Sequence, residues 1–531
     1  MIYFLKDLNL KGRAIGVMST RKNVAKAAGI ILALGIVSRI LGFVREQLLA
    51  VKFGATGISD AYVAAFTIPD FLYNLLVGGA LSAAFIPVFS SYLAKNEEEE
   101  AWKMASTVIN LVIIIMLFCI GLGFLFTPEL VKLVAHKFTG ERLSTTIELT
   151  RIMLPSVLFT GLNGFLMGML NSYQHFFTPA LGSVIYNIVI ILFGYFLAGK
   201  LGITSFALGV VAGMVLNFMV QLPSLARYGL KYRPIIDIHH PGVVKMAQLM
   251  IPTLLGLAVS QINLIVNQNL ASGLSEGSIM ALRLANRLMY LPLGLFASAI
   301  SMAIFPTMTG FAARGEMDNF KKSVAMGIKS IWFIILPAQV GLMVLSVPIV
   351  RLLFEMGEFT PAMTRATAWA LVFYCVGLFA HSALQVVLRG FYSLHDTITP
   401  VTTSLLTIFL NYLLNVAFIR YLGHGGLALG FSLTGIFNFA VLLWLFRRKV
   451  GSIYGKDILI SGVKSLLASL LMGVTAYLIA GELSGFAVTK HGQLIQVGAA
   501  IAGAVVVYAA TTLLLKMEEA LFFLNLIRKK V

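Results

Sequence analysis

Charge is what this chain has least of. Only 12% of its 531 residues are Asp, Glu, Lys or Arg, about half the share of a soluble domain, while 59% are apolar. So few charges cannot cover a water-facing surface of this size. Cysteine is almost missing too. Cys119 and Cys375 sit in apolar runs of different halves, read as small buried hydrophobes, and imply no disulfide framework. There is no GxxxxGK[ST] phosphate loop, which excludes a built-in ATPase, and no HExxH or other metal-spaced cluster. The eight histidines are scattered, and His239-His240, beside Pro241, reads as a solvated pair. No large external loop exists to house an active site. These gaps argue against an enzyme and against a cofactor or metal. Work done by such a chain draws on a gradient, on the membrane potential or on the gradient of its own substrate.

What is present is apolar sequence in long blocks. Runs of about twenty residues recur from Gly29 to Leu515, and mean hydropathy is +0.91. Such runs indicate an all-α polytopic membrane protein. They are continuous rather than alternating, which excludes an outer-membrane barrel. Fourteen spans are expected, centred near Arg39, Leu75, Ile115, Val157, Ile188, Met214, Ala258, Leu293, Ile334, Gly377, Leu410, Gly435, Met472 and Val505. The basic lead, residues 1–26, is too charged and its apolar run too long for a cleavable signal, and is expected on the cytoplasmic membrane surface.

The net charge of +18 does not point to nucleic acid, because it is spread over short loops with no aromatic-interleaved patch. Lys and Arg concentrate in alternate loops: Lys95 and Lys103, Arg227 to Lys245, Arg314 to Lys322, Arg447 to Lys456, and Arg528 to Lys530. That bias places these loops and both termini in the cytoplasm. The acidic run Glu97–Glu100 falls in one of them and reads as a solvated turn.

The chain also repeats itself. Ala80-Leu-Ser82 through Pro87 recurs as Ala299-Ile-Ser301 through Pro306, an offset of 219. Thr178-Pro179 recurs as Thr399-Pro400, and Leu201-Gly202 as Leu422-Gly423, an offset of 221. Asn217 and Arg227 fall on Asn438 and Arg448 at the same offset. A constant offset across three pairs of spans means duplication. Each repeat holds six spans, an even number, so the two are parallel repeats. The expected organisation is a six-span half over residues 1–228, a second over 242–449, and two extra spans with an interfacial tail over 455–531. Parallel repeats belong to secondary transporters, with a site near the midplane between the halves.

Ionisable residues inside spans mark that site. The first span carries Arg39 near its middle, then Arg45 and Glu46. An arginine at mid-bilayer costs about 2.5–3.5 kcal/mol on insertion scales, so it faces a bundle interior or a wet cavity. The eighth span carries Arg283, Asn286 and Arg287, with Pro292 a turn on. A rise of about 1.5 Å per residue puts Arg287 level with Arg39. Arginine is a rigid fork of donors suited to phosphate. The candidate substrate-binding residues are therefore Arg39, Arg45 and Arg287, flanked by Ser38, Glu46, Asp60 and Asn286. The competing structural readings are local ion pairs for the arginines and, for Ser59-Asp60, an N-cap on the second span.

The motifs that carry these residues have a family likeness. Ser38-Arg39-Ile-Leu-Gly42-Phe-Val-Arg45-Glu46, Ser59-Asp60-Ala-Tyr, Gly79-Ala80-Leu-Ser82 to Pro87, and Ala285-Asn286-Arg287 to Gly294 resemble the MurJ (MviN) lipid II flippases. These belong to the multidrug/oligosaccharidyl-lipid/polysaccharide exporter superfamily. The resemblance covers essentially the whole chain. It implies translocation of the undecaprenyl-pyrophosphate-linked peptidoglycan precursor, lipid II, from the cytoplasmic to the outer leaflet by alternating access. It implies cavity arginines at Arg39, Arg45 and Arg287, a lipid-tail groove along the last two spans, and a monomer in the inner membrane beside the cell-wall synthesis machinery.

Departures from the family pattern are specific. Tyr73 stands where some members have arginine, and Tyr290 where some have glutamate. Some relatives bind sodium through carboxylates on the seventh and eleventh spans. The matching positions here are Asn267 and Asn415, with Asn411 kept and Phe431 in place of a threonine, which argues against sodium coupling. Rival readings are a drug or metabolite antiporter of the same superfamily, a flippase for another lipid-linked glycan, a membrane glycosyltransferase and a scaffold. An acidic cavity would favour the antiporter, and an external catalytic loop the glycosyltransferase; the sequence shows neither.

Overall fold

In the computed structural model, which describes residues 14–74 and 84–521, every regular element is helical. A backbone in lipid must satisfy its own polar groups, and a helix does so within one segment. The chain runs through α1 (Ala14–Phe53), α2 (Gly57–Tyr73), α3 (Ile86–Ala94), α4 (Glu98–Leu125), α5 (Thr127–Val134), α6 (Gly140–Met153) and α7 (Ser156–Ser172). It continues through α8 (Phe177–Leu201), α9 (Thr204–Arg227), α10 (Pro241–Ser272), α11 (Ser278–Pro292), α12 (Ser298–Ala313), α13 (Met317–Val344) and α14 (Ser346–Phe354). The last helices are α15 (Pro361–Val376), α16 (Leu378–Ser393), α17 (Ile398–Leu422), α18 (His424–Val450), α19 (Gly455–Glu482) and α20 (Lys490–Leu514).

Among the described residues, 9 helices are long and apolar enough to cross a membrane, or up to 11 when each of two bent pairs forms one span. Of the expected span centres, Leu75 lies outside the described residues and Gly377 falls at a bend; the others lie within helices. The expected interfacial tail lies largely outside the described residues, as does the start of the basic lead.

Local structure recurs at the sequence offset. The pair α6–α7 bends by 40° and the pair α15–α16 by 42°. The first break lies at Leu154-Pro155, where proline removes a helix hydrogen bond, and the second at Gly377. Short helices α5 and α14 follow the long α4 and α13. Gly202 and Gly423 end α8 and α17 with the same φ of 55°, a left-handed turn that glycine accepts without strain. Gln174 and His395 also share positive φ, at 60° and 57°. Pro179 and Pro400 sit in the first turns of α8 and α17, where proline's missing N–H costs nothing.

Two compact units result. One takes Met1–Leu48, Ala65–Val131 and Ser144–Gln261; the other takes Leu49–Ala64, Lys132–Leu143 and Ile262–Val531. The first unit's core is aromatic. Phe85 meets Phe165 edge-on at 5.2 Å, and Phe89 meets Trp102 edge-on at 6.0 Å. The second unit includes the two helices beyond the duplication. Ala468, Met472 and Ala476 of α19 and Ala500 and Ala504 of α20 pack with Val340 of α13, small residues allowing close approach. Tyr508 donates to the Phe333 carbonyl at 2.6 Å. Beyond α20, Lys329 of α13 pairs with Glu518 at 2.9 Å and Glu519 at 3.4 Å, and Ser461 donates to Glu519.

Two loop readings need correction. The run Glu97–Glu100 is largely exposed, as expected, but it is not a free turn, because Glu98–Glu100 form the first turn of α4 and hold other groups. Glu99 binds Arg233 at 2.9 Å, and Glu100 contacts Lys103 at 2.6 Å and His240 at 3.2 Å. His240 is buried rather than solvated, while His239 is exposed. The negative charges lie at a helix N-terminus, where the dipole favours them.

Candidate functional site

In the first unit the candidate residues lie on α1. Its 40 residues continue through Arg39 and Arg45 with no break. Arg39 is exposed, and its neighbour Ser38 is half-buried. Asn187 of α8 holds Ser38: its amide nitrogen lies 3.4 Å from the Ser38 carbonyl and 3.3 Å from Ser38 Oγ. The same nitrogen donates to the Ser183 carbonyl at 3.0 Å. These bonds fix the rotation of α1 at the point where Arg39 projects.

Arg45 has a different environment. It donates to Glu46 Oε1 at 2.9 Å, and the two side chains are 12% and 2% exposed. Its guanidinium lies 5.8 Å from the centroid of the Tyr186 ring, and Gly213 of α9 faces that tyrosine. The aromatic face and the carboxylate both favour the cation. Glu46 lies two helical turns beyond Arg39, yet it is buried with Arg45. Its carboxylate serves Arg45 as counter-ion. Tyr186 and Asn187 escaped the sequence reading because they belong to a helix far along the chain.

In the second unit Asp60 has the most committed side chain. It is fully buried. Oδ2 accepts from Arg142 at 2.7 Å and from the Gly277 amide at 2.7 Å; Oδ1 accepts from the Met280 amide at 2.7 Å. Asp60 therefore caps the N-terminus of α11, which has no side-chain cap of its own. This corrects the expectation that it caps α2. That local bond belongs instead to Ser59, whose Oγ accepts from the Thr56 amide at 2.9 Å. Gly277 has φ of 83° and lies against the Ala55 carbonyl, so only glycine fits. Arg142 stacks on the Phe138 ring at 3.7 Å from its centroid.

The capped helix is the one that carries the other candidates. Along α11, Arg283 and Asn286 are half-buried and Arg287 is exposed. Asn286 lies near the buried Tyr374 hydroxyl of α15. After Pro292, Leu293–Ala297 form a π-helical turn, a widening that sequence periodicity did not reveal and that often marks functional sites.

The positions matched to the sodium ligands of some relatives lie in the second unit as well. Asn415 donates to Asn267 at 2.6 Å and to Asn411 at 3.1 Å, and Asn411 donates to Thr434 at 3.3 Å. Next to them His381 stacks on Phe431 at 4.3 Å and contacts its carbonyl at 3.3 Å. This amide cluster has no formal charge to balance a cation and does not fit a carboxylate sodium site. No group of three or more His, Cys, Asp or Glu suited to a metal occurs among the described residues.

Comparison with known proteins gives a consistent picture. The family model described as "Lipid II flippase MurJ" matches residues 49–495. The chain is 33% identical over 444 residues to the "Probable lipid II flippase MurJ" of Vibrio cholerae, covering 80% of this chain and 83% of that protein. It is 30% identical to the protein of the same name from Haemophilus influenzae, covering 91% and 98%. A solved structure described as "Lipid II flippase MurJ, inward closed conformation" is 30% identical, with a TM-score of 0.78 over 94% of this chain and 99% of that one. An inward-facing multidrug resistance MATE family transporter of the MOP superfamily shares the fold at 15% identity and a TM-score of 0.61, over 80% and 98%.

Proposed function

The chain belongs to the lipid II flippase MurJ family, and from that premise we propose that it carries lipid II across the inner membrane by alternating access. The load is the undecaprenyl-pyrophosphate-linked peptidoglycan precursor, moved from the cytoplasmic to the outer leaflet. Arg39 and Arg45 of the first unit and Arg287 of the second bind the diphosphate. The observation that carries this reading is their placement on apolar helices within a family that moves an anionic lipid. Arg39 and Arg287 are both exposed. Arg45, backed by Glu46 and Tyr186, is held in place.

The apolar tail stays in lipid while the polar head passes through the protein. Diphosphate is multiply anionic, and guanidinium donors replace part of its water shell with fixed charge-assisted bonds. Membrane potential biases the return of the empty cationic carrier, since about 2.3 kcal/mol per charge per 100 mV is available. The chain acts as a monomer with both termini cytoplasmic, beside the cell-wall synthesis machinery. The likeness to MATE transporters at 15% identity concerns the fold alone. A cation antiporter would want acidic groups where the chain has arginines.

The test is depletion of the resident flippase from a host cell and rescue by this chain. Rescue should restore lipid II accessibility at the outer leaflet, and Arg39→Ala or Arg287→Ala should abolish it at equal expression. Full rescue by both variants would remove the arginines from the mechanism. Failure of the wild-type chain to expose lipid II would overturn the function itself.

A further inference from the structure

Residues 228–241 connect α9 to α10 and contain no helix between Gly229 and Ile238. An extended backbone exposes a row of N–H and C=O groups, and here a membrane helix bonds several of them. Ser106 Oγ accepts from the Arg233 amide at 3.1 Å, and Thr107 Oγ1 accepts from the Asp237 amide at 3.2 Å. Asn110 Nδ2 donates to the carbonyls of Ile235 at 2.8 Å and Arg233 at 3.3 Å, while Asn110 Oδ1 accepts from the Tyr232 hydroxyl at 2.7 Å. Ion pairs from Glu99 to Arg233 and from Glu100 to His240 extend the seam. Thus the polar residues that interrupt the apolar run of α4 face the connecting segment.

A loop lying in water has no need of this arrangement, because water satisfies its backbone. Its outward side chains would also be polar throughout, whereas here large apolar residues are exposed among Lys231, Arg233, Asp237 and His239. Leu230, Tyr232, Ile236 and Ile238 are 40%, 47%, 53% and 54% exposed. Backbone groups tied to the helix beneath, with large apolar side chains exposed among charged ones, suit a segment at the edge of lipid rather than one in open water. Arg227 and Lys245 flank the segment and Lys231 lies within it; all three are exposed and have no acidic partner among the described residues. Cations beside exposed apolar side chains match the phosphates and shallow acyl region of a leaflet.

We propose that residues 228–241 form an interfacial strap. Leu230, Tyr232, Ile236 and Ile238 insert at the headgroup–acyl boundary of one leaflet, and Arg227, Lys231 and Lys245 contact lipid phosphates. Its ligand is phospholipid, with anionic headgroups favoured by the three cations. The strap is distinct from the diphosphate site and rests only on the chain's crossing a membrane.

The full chain, with Cys119→Ala and Cys375→Ala, is reconstituted in phosphatidylglycerol–phosphatidylcholine vesicles with one fluorophore on Ile238→Cys. A second preparation carries it on Arg314→Cys, in the turn after α12. Lipid nitroxides placed at shallow acyl carbons should quench position 238 severalfold more than aqueous iodide does, with the reverse order at 314. Raising the phosphatidylglycerol fraction should deepen quenching at 238, and Lys231→Gln with Lys245→Gln should remove that dependence. Iodide-dominated quenching at 238 puts the strap in water and overturns the proposal. Shielding from both quenchers means a protein covers it and overturns it equally. In Ser106→Ala/Asn110→Leu the label should shift toward iodide; if that variant misfolds, the unsubstituted seam still gives the decision.

Discussion

Arg39 and Arg45 lie six positions apart on one helix, and their surroundings separate their roles. Arg39 is exposed beside the Ser38–Asn187 bonds, whereas Arg45 is enclosed by Glu46 and Tyr186. Removing one partner of a buried ion pair costs about 3–5 kcal/mol, because the other charge stays buried. Glu46→Gln is therefore expected to lower thermal stability and translocation together. Arg45→Ala with Glu46→Ala should recover much of the stability and none of the transport. Equal transport by the double variant and the wild type would make the pair purely structural. Asp60 has the same logic with more partners. Asp60→Asn retains acceptor capacity but leaves Arg142 without its carboxylate, so a loss of several kcal/mol, on the scale of a broken buried pair, is expected in thermal unfolding. Of these residues the sequence displayed the arginines, because a charge in an apolar run stands out by itself. It could not display Asn187, Tyr186 or the amides of Gly277 and Met280, since those contacts join segments far apart in the chain.

At the scale of elements, helix ends carry the testable features. The end of α11 is built from Gly277 at φ 83° and a carboxylate borrowed from α2. Gly277→Ala pays about 1–2 kcal/mol for the left-handed backbone, and more for contact with the Ala55 carbonyl. Its melting temperature should fall well below that of a neutral control such as Gly485→Ala, where open space surrounds the glycine. The start of α17 is closed by Asp396, which accepts from the Thr399 amide at 3.1 Å and its hydroxyl at 2.9 Å. Lys449 first of all, then Thr399, holds the Asp396 carboxyl below its ordinary range. A depressed carboxyl stabilises the fold above the unfolded-state pKa and loses that contribution as pH falls through the folded value. Asp396→Asn should accordingly be less stable than the wild type near neutrality, with the gap closing in strong acid. An undiminished gap in acid would mean the charge is not the source. Helix periodicity and Thr-Pro signals were enough to locate α8 and α17. They said nothing of the seam between α4 and residues 228–241, since Ser106, Thr107 and Asn110 look like minor polar interruptions until their partners are seen.

For the molecule as a whole, the length of its apolar runs made the helical membrane class plain from the sequence. The offset of about 220 residues is also visible in matched bends and matched left-handed turns. Less legible was the division of labour among polar residues inside the spans. Asp60 and Glu46 carry the same charge, and only their partners separate them: one caps a helix and the other pairs with an arginine. Transport of lipid II by arginines on α1 and α11, as proposed, can be tested on the isolated protein. The most direct measurement uses purified chain in proteoliposomes loaded with labelled lipid II, following the lipid's exposure to an impermeant reagent on the far leaflet. Wild-type protein should expose the inner pool, and Arg39→Ala and Arg287→Ala should leave exposure at the level of protein-free vesicles. Wild-type exposure no faster than in protein-free vesicles would rule out lipid II transport by this chain, and unimpaired exposure in both variants would rule out the arginines' part in it.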